Sequence, residues 1–176
     1  MPDATGLELI AHDLRDQVPG SVTDTEHRHG IATLVIDPQA LLPVLGWLRD
    51  TAGQEYRFLA SLHGVDYLPA EPRFGVVYEL LNMPRVERLR VRAPLADPGG
   101  DRLPEIDSCV SAFPAAEFQE REVYDFFGIV FRGHPDLRRI LMPEDYVGYP
   151  LRRDFPMGGE PVIFTFNEGQ MPRWYD

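Results

Sequence analysis

Glu120, Asp125 and His134 are the residue types of general acid–base chemistry, and they fall within one short stretch. Neighbouring carboxylates can divide proton-transfer work, and a histidine titrates near neutrality. The surroundings do not complete such a site. No nucleophile and no array of oxyanion donors stands near His134. Paired carboxylates are common on helical surfaces, where structural ion pairs also perturb them, so a structural role is the better reading. His134 is set between Gly133 and Pro135, a turn that displays its ring. A structural hydrogen bond, to this domain or to a partner, is expected of it.

The other candidates are weaker as chemistry. His27-Arg28-His29 places two imidazoles on one face of a hairpin but supplies no third ligand. A solvated hairpin tip is expected there. Cys109 is the only cysteine, too few for a disulfide within the chain or for an iron–sulfur cluster of its own. It reads as an inert, partly buried thiol. Arg138-Arg139 and Arg152-Arg153 could hold an anion, yet Glu144, Asp145 and Asp154 are interleaved with them. No glycine-rich loop opens a helix to cradle phosphates, and Asp97-Pro98-Gly99-Gly100 reads as a turn. Mixed signs suit a charge-complementary protein interface.

The elements that position these residues follow from periodicity. Thr5-Gly6-Leu7-Glu8 has capping-box spacing, and Leu7, Ile10, Ala11, Leu14 and Val18 predict a helix over 6–17, stopped by Pro19-Gly20. Residues 22–26 and 31–36 read as a hairpin, and Asp37-Pro38 opens a second helix that tolerates Pro43. Strands are expected at 56–62, 74–81 and 86–93. In the last of them Arg88, Arg90 and Arg92 alternate with Leu89 and Val91, which gives one wet face. Residues 96–104 form a turn-rich loop. Pro114 starts a third helix that runs to Phe127, with Gly128 as its C-cap and a short strand at 129–131. On that helix Glu117, Arg121 and Asp125 would make an i, i+4 ladder of alternating charge, with Glu120 and Tyr124 on an adjacent stripe. The expected fold is α+β: a two-layer domain with helices packed on a mixed, largely antiparallel sheet, followed by an extended C-terminal segment.

At 176 residues with net charge −11, the chain is expected to be one domain with no phosphate-backbone partner, since nucleic acid requires a basic face. Every Lys/Arg position is arginine, the residue better suited to bidentate pairing with carboxylates. Asp3 and Glu8 interrupt any apolar run at the start, and no run elsewhere is long enough to cross a bilayer. A soluble cytoplasmic or peripheral protein is expected.

Residues 120–156, EREVYDFFGIVFRGHPDLRRILMPEDYVGYPLRRDFP, are both apolar and densely charged, as befits a surface pressed against another protein. They resemble the signature of one family, the 30 kDa subunit (the C subunit) of the proton-pumping NADH:quinone oxidoreductase, respiratory complex I. The likeness rests on Glu120-Arg121-Glu122, Tyr124-Asp125, Gly133-His134-Pro135, Arg139-Ile140-Leu141, Pro143-Glu144-Asp145, Pro150-Leu151-Arg152 and Asp154. Gly64-Val65-Asp66-Tyr67 and Val77-Tyr78-Glu79-Leu80 are weaker family-like features upstream. Tyr146 and Phe118 stand where the family usually has tryptophan, Tyr149 where histidine is frequent, and Arg153 where lysine is usual.

The resemblance implies a non-catalytic structural subunit on the cytoplasmic side of the inner membrane, attached to it only through the complex. It implies no cofactor in this chain, with FMN and iron–sulfur clusters in partner subunits, and subunits B, D and I as neighbours. The fold domain would be 1–133, and 134–176 would leave it to lie along those neighbours. Expected partner-binding residues are Glu120, Arg121, Glu122, Asp125, His134 and Arg138, continued by Arg139, Glu144, Asp145, Arg152, Arg153 and Asp154. The alternative is the equivalent subunit of a membrane-bound hydrogenase or of a quinone reductase using another electron donor.

Overall fold

The computed structural model describes residues 2–156. In chain order these form α1 (Ala4–Gln17), β1 (Val22–Arg28), β2 (Ile31–Ile36), a 3-10 turn (Pro38–Ala40), α2 (Leu41–Asp50), β3 (Phe58–Asp66), β4 (Phe74–Asn82), β5 (Glu87–Leu95), β6 (Glu105–Asp107), α3 (Ala116–Phe127) and β7 (Val130–Arg132). The main sheet runs β1-β2-β5-β4-β3, parallel only between β2 and β5. The expected α+β architecture of helices on a mixed, largely antiparallel sheet is the one observed.

One core joins the layers. Leu34, Ile36, Tyr78, Leu80, Leu89 and Val91 from one sheet face are buried with Leu7, Leu14, Leu45 and Leu48 from the helices. The helix α3 lies on the same face, close against β3, because Gly64 has no side chain there. A Cβ on Gly64 would sit 2.7 Å from the Phe127 ring and 3.0 Å from Val123. On the opposite face the expected wet row is charged but not free. Arg90 pairs with Glu79 at 2.5 Å and Arg92 pairs with Glu26, so only Arg88 of the three is exposed.

Several boundaries move for local reasons. Asp3 caps α1, accepting from the Gly6 amide at 2.7 Å, so the helix starts ahead of the expected capping box. The strand expected at 56–62 begins at Phe58 and continues to Asp66, while Tyr56 is fully buried ahead of it and donates to Glu87 at 2.5 Å. Val86 has φ +50° and turns the chain, so β5 begins one residue later than expected. The short strand β6 lies beyond the turn-rich loop and pairs in parallel with β7. It lacks the length for a periodic signal.

Candidate functional site

The helix α3 ends where the expected site begins. Gly128 caps it in the left-handed conformation at φ +68°, as its position in the sequence suggested. The chain then passes through β7 and returns as an irregular strap, residues 134–156. This corrects the expectation that the chain leaves the domain at 134: up to 156 it folds back on α3 and on one end of the sheet. The remainder of the expected segment, 157–176, lies outside the described residues.

Asp125 is the first anchor of the strap. Its carboxylate has no exposure, and Oδ2 accepts from the Ile140, Leu141 and Met142 amides at 3.1, 2.8 and 2.9 Å. Oδ1 accepts from Arg139 Nη1 at 2.7 Å. Burial alone would push this carboxyl up, but the amides and the guanidinium outweigh it and hold it below the usual aspartate range. Arg139 also donates to the Tyr146 and Gly148 carbonyls at 2.8 and 2.9 Å, and lies over the Tyr146 and Tyr149 rings. A single guanidinium thus braces the whole turn.

The second anchor is built from the sheet. Arg73, just ahead of β4, grips Asp66 at the end of β3 through two parallel bonds of 3.2 and 3.1 Å. It also reaches Asp97 at 2.8 Å and, in the strap, Asp154 at 2.7 Å. Asp66 in turn accepts from the Arg153 amide at 2.9 Å. Burial would raise the Asp66 carboxyl, yet Arg73 and the Arg153 and Leu68 amides bring it below its ordinary value. Between the anchors, Arg152 donates to the Phe127 carbonyl at 2.7 Å and stacks on Phe74 and Tyr149. Close approach there depends on Gly128, whose absent Cβ would lie 2.6 Å from the Tyr149 ring.

The acid–base candidates are occupied by the chain itself. Glu120, expected on a surface stripe, is fully buried and accepts from Ser108 Oγ at 2.6 Å and the Cys109 amide at 2.7 Å. Burial pushes its carboxyl up despite those donors. Cys109 is wholly buried, and burial pushes its thiol up, which suits an inert group. His134 Nδ1 accepts from the Asp136 amide at 3.0 Å, which leaves Nε2–H to donate to the Glu117 carbonyl at 2.9 Å. That is the structural bond expected of it. The expected Glu117–Arg121–Asp125 ladder is not formed. Arg121 instead donates to the Arg138 and Arg139 carbonyls at 3.2 and 3.0 Å.

The strap turns Arg139 and Arg152 inward, while its other charged side chains and several apolar ones face outward. Leu141, Val147 and Leu151 are 62%, 81% and 53% exposed. Among the described residues no three His, Cys, Asp or Glu side chains gather as a metal-ligand set.

Residues 34–161 match the family model described as the 30 kDa subunit of the respiratory-chain NADH dehydrogenase. The chain belongs to that family. Curated relatives named as the C subunit of NADH-quinone oxidoreductase include one from Roseiflexus castenholzii, 41% identical over 90% of this chain and 88% of that protein. Another, from Herpetosiphon aurantiacus, is 48% identical over 79% of each. Among solved structures, a chain of the archaeal membrane-bound sulfane sulfur reductase superposes with a TM-score of 0.69 at 21% identity, covering 96% of this chain and 94% of that one. That likeness is one of fold.

Of the twelve family-derived site residues, the structure brings Asp125, Arg139 and Asp154 into the two anchors, Arg153 joining through its amide and Arg152 lying between them. Glu122, Arg138, Glu144 and Asp145 are exposed, Arg138 pairing with Asp136 at 2.8 Å. Arg73 and Asp97 were not anticipated. The available signal was a charge placed directly before a strand buried on both faces, which must find a partner nearby.

Proposed function

We propose that this chain is a non-catalytic structural subunit of the peripheral arm of a proton-pumping NADH:quinone oxidoreductase. It docks the iron–sulfur and quinone-site subunits, those called B, D and I, so that electrons pass from NADH to quinone. It carries no cofactor itself; flavin and clusters belong to the partners. It sits on the cytoplasmic side of the membrane and is attached through the complex. Consistent with that, no helix among the described residues is long and apolar enough to cross a bilayer.

The observation that carries this reading is the strap. A surface that exposes Leu141, Val147 and Leu151 beside charged Arg138, Glu144 and Asp145 has the mixed apolar and polar character of a face organised for burial against another protein. The strap's own donors fill both oxygens of Asp125, and the loop before α3 fills those of Glu120, so neither carboxylate is free to meet a substrate. The names of relatives at 41–48% identity favour NADH as the electron donor of the complex over a hydrogenase assembly.

The test is affinity purification of a tagged chain from solubilised membranes. Recovery of the cluster-bearing and quinone-site subunits with NADH:quinone reductase activity supports the reading. Hydrogenase subunits in their place, stoichiometric iron or flavin in the chain alone, or turnover by the isolated chain would overturn it.

A further inference from the structure

We propose that the strap is latched in a fixed shape to its own domain before any partner arrives, with Arg73 as the positioning residue for its far end. This rests on the docking reading for the use made of the strap, but the latch is a property of the chain alone.

Two modes of docking are open to an irregular, proline-containing segment: ordering on contact, or presentation in a fixed shape. Ordering on contact is expected when the segment has few bonds to the rest of its chain. Here the bonds are many and well placed. The Asp125 carboxylate fixes three consecutive amides, and Arg139 closes the turn by holding two further carbonyls. The Leu151 amide then donates to the Phe126 carbonyl at 3.2 Å, and Arg152 Nε to that of Phe127. The end is held by Arg73 through Asp154, and by Asp66 through the Arg153 amide.

Aliphatic burial does little of this holding, and the main aromatic contribution is Tyr149, edge-on to Tyr124 and close over Gly128. Of the strap's larger aliphatic residues only Leu137 packs on the core, while Leu141, Val147 and Leu151 face outward. Apart from that aromatic contact, the polar anchors hold the strap down. A surface fixed in this way gives up less conformational freedom when a partner docks, which raises affinity without adding contacts.

The role of Arg73 is specific. Its pairs with Asp66 and Asp97 lie within the sheet domain, and both Arg73 and Asp66 are buried there. The domain alone thus has two carboxylates around one guanidinium that still has hydrogen-bonding capacity. Asp154 uses that capacity, and Asp66 Oδ2, already bonded to Arg73, accepts a second bond from the Arg153 amide. A lysine at position 73 would supply charge without the planar fork that reaches three carboxylates at once.

Amide hydrogen exchange on the full-length chain, free and in the purified complex, reads the latch directly. In the free wild-type chain, the amides of residues 140–142 and 151–155 are expected to exchange at least about tenfold more slowly than unstructured peptide. Arg73→Gln should return 151–155 to fast exchange while 140–142 stay slow. Because Arg73→Gln could disturb the sheet itself, Asp154→Asn provides the second variant. It removes only the half-exposed strap partner and should shift 151–155 in the same direction, with β3 and β4 unchanged. Unprotected wild-type 151–155 in the free chain, gaining protection only in the complex, would overturn the proposal, as would indifference to both variants. Normal assembly despite an opened latch would leave the latch standing and count against docking through the strap. The converse, an unprotected free strap on which assembly still depends, would do the opposite.

Discussion

The Arg139 guanidinium meets the Asp125 carboxylate at 2.7 Å within one chain, so two of the residues expected to bind partners satisfy each other internally. The two sides of this pair are not equal. Asp125 satisfies three strap amides besides Arg139, whereas Arg139 also has three carbonyls. Loss of Arg139 leaves the carboxylate with its amides; loss of Asp125 leaves a nearly buried cation and three orphaned donors. Breaking a buried pair typically costs about 3–5 kcal/mol.

Asp125→Ala should therefore be the more damaging of the two substitutions. Strap opening limits the damage to the whole fold, because the segment can lift away before the core unfolds. Limited proteolysis within 134–156 should accelerate more for Asp125→Ala than for Arg139→Ala, and the denaturation midpoint should fall less than the full cost of the pair. The reverse order of proteolysis rates would show that the carboxylate is not the anchor.

Two glycines allow the strap and the body to be tested separately. Gly128→Ala forces a left-handed residue and drives a methyl into Tyr149, so it should loosen the strap. Gly64→Ala instead pushes Phe127 and Val123 off β3, an overpacking that costs about 1–3 kcal/mol of global stability. Urea denaturation should register Gly64→Ala fully, whereas strap proteolysis should register Gly128→Ala first.

The pH dependence has two opposing parts. Asp66 and Asp125 are held below the ordinary aspartate value by their donors against the effect of burial, and Asp97 is held there by the Gly99 amide and Arg73. Their contribution is complete above the unfolded value of about 3.9 and is lost as pH falls through their depressed folded values. Glu120, raised by burial, acts in the other sense: stability declines as pH rises from about 4.3 towards its folded value, and stays lowered above it. Relative to wild type, Glu120→Gln should thus fare better at pH 8 than at pH 4 in urea titrations. A relative loss on going to pH 8 would contradict the assignment.

The sheet and helices were legible because their signals are local. Leu7, Ile10, Ala11 and Leu14 recur at helical spacing, Asp37 precedes Pro38, and Gly128 follows the last apolar turn of α3. The family was legible from the single run 120–156. What was not legible was where each charge goes. Nothing in the spacing of Glu117, Arg121 and Asp125 tells that Arg121 turns to two carbonyls of the strap and Asp125 to three of its amides. Arg73 and Asp154 meet only after the strap has folded back, a contact with no periodicity to reveal it. The buried charges Asp66, Arg73, Glu120 and Asp125 mark the chain's own folding.

The most direct test of docking through the strap is the double substitution Leu141→Asp with Val147→Asp, expressed in place of the wild-type chain. Both side chains face solvent, so the free chain should keep its stability to within about 0.5 kcal/mol. Arg88→Ala, on the opposite sheet face, serves as the control. The quantity to measure is assembled complex in membranes, together with NADH:quinone reductase turnover per assembled complex. The expected result is a loss of assembly of more than about tenfold, corresponding to at least about 1.4 kcal/mol of lost association, with turnover per complex unchanged and Arg88→Ala near wild type. Normal assembly of the double variant, with or without loss of turnover, would contradict docking through this surface.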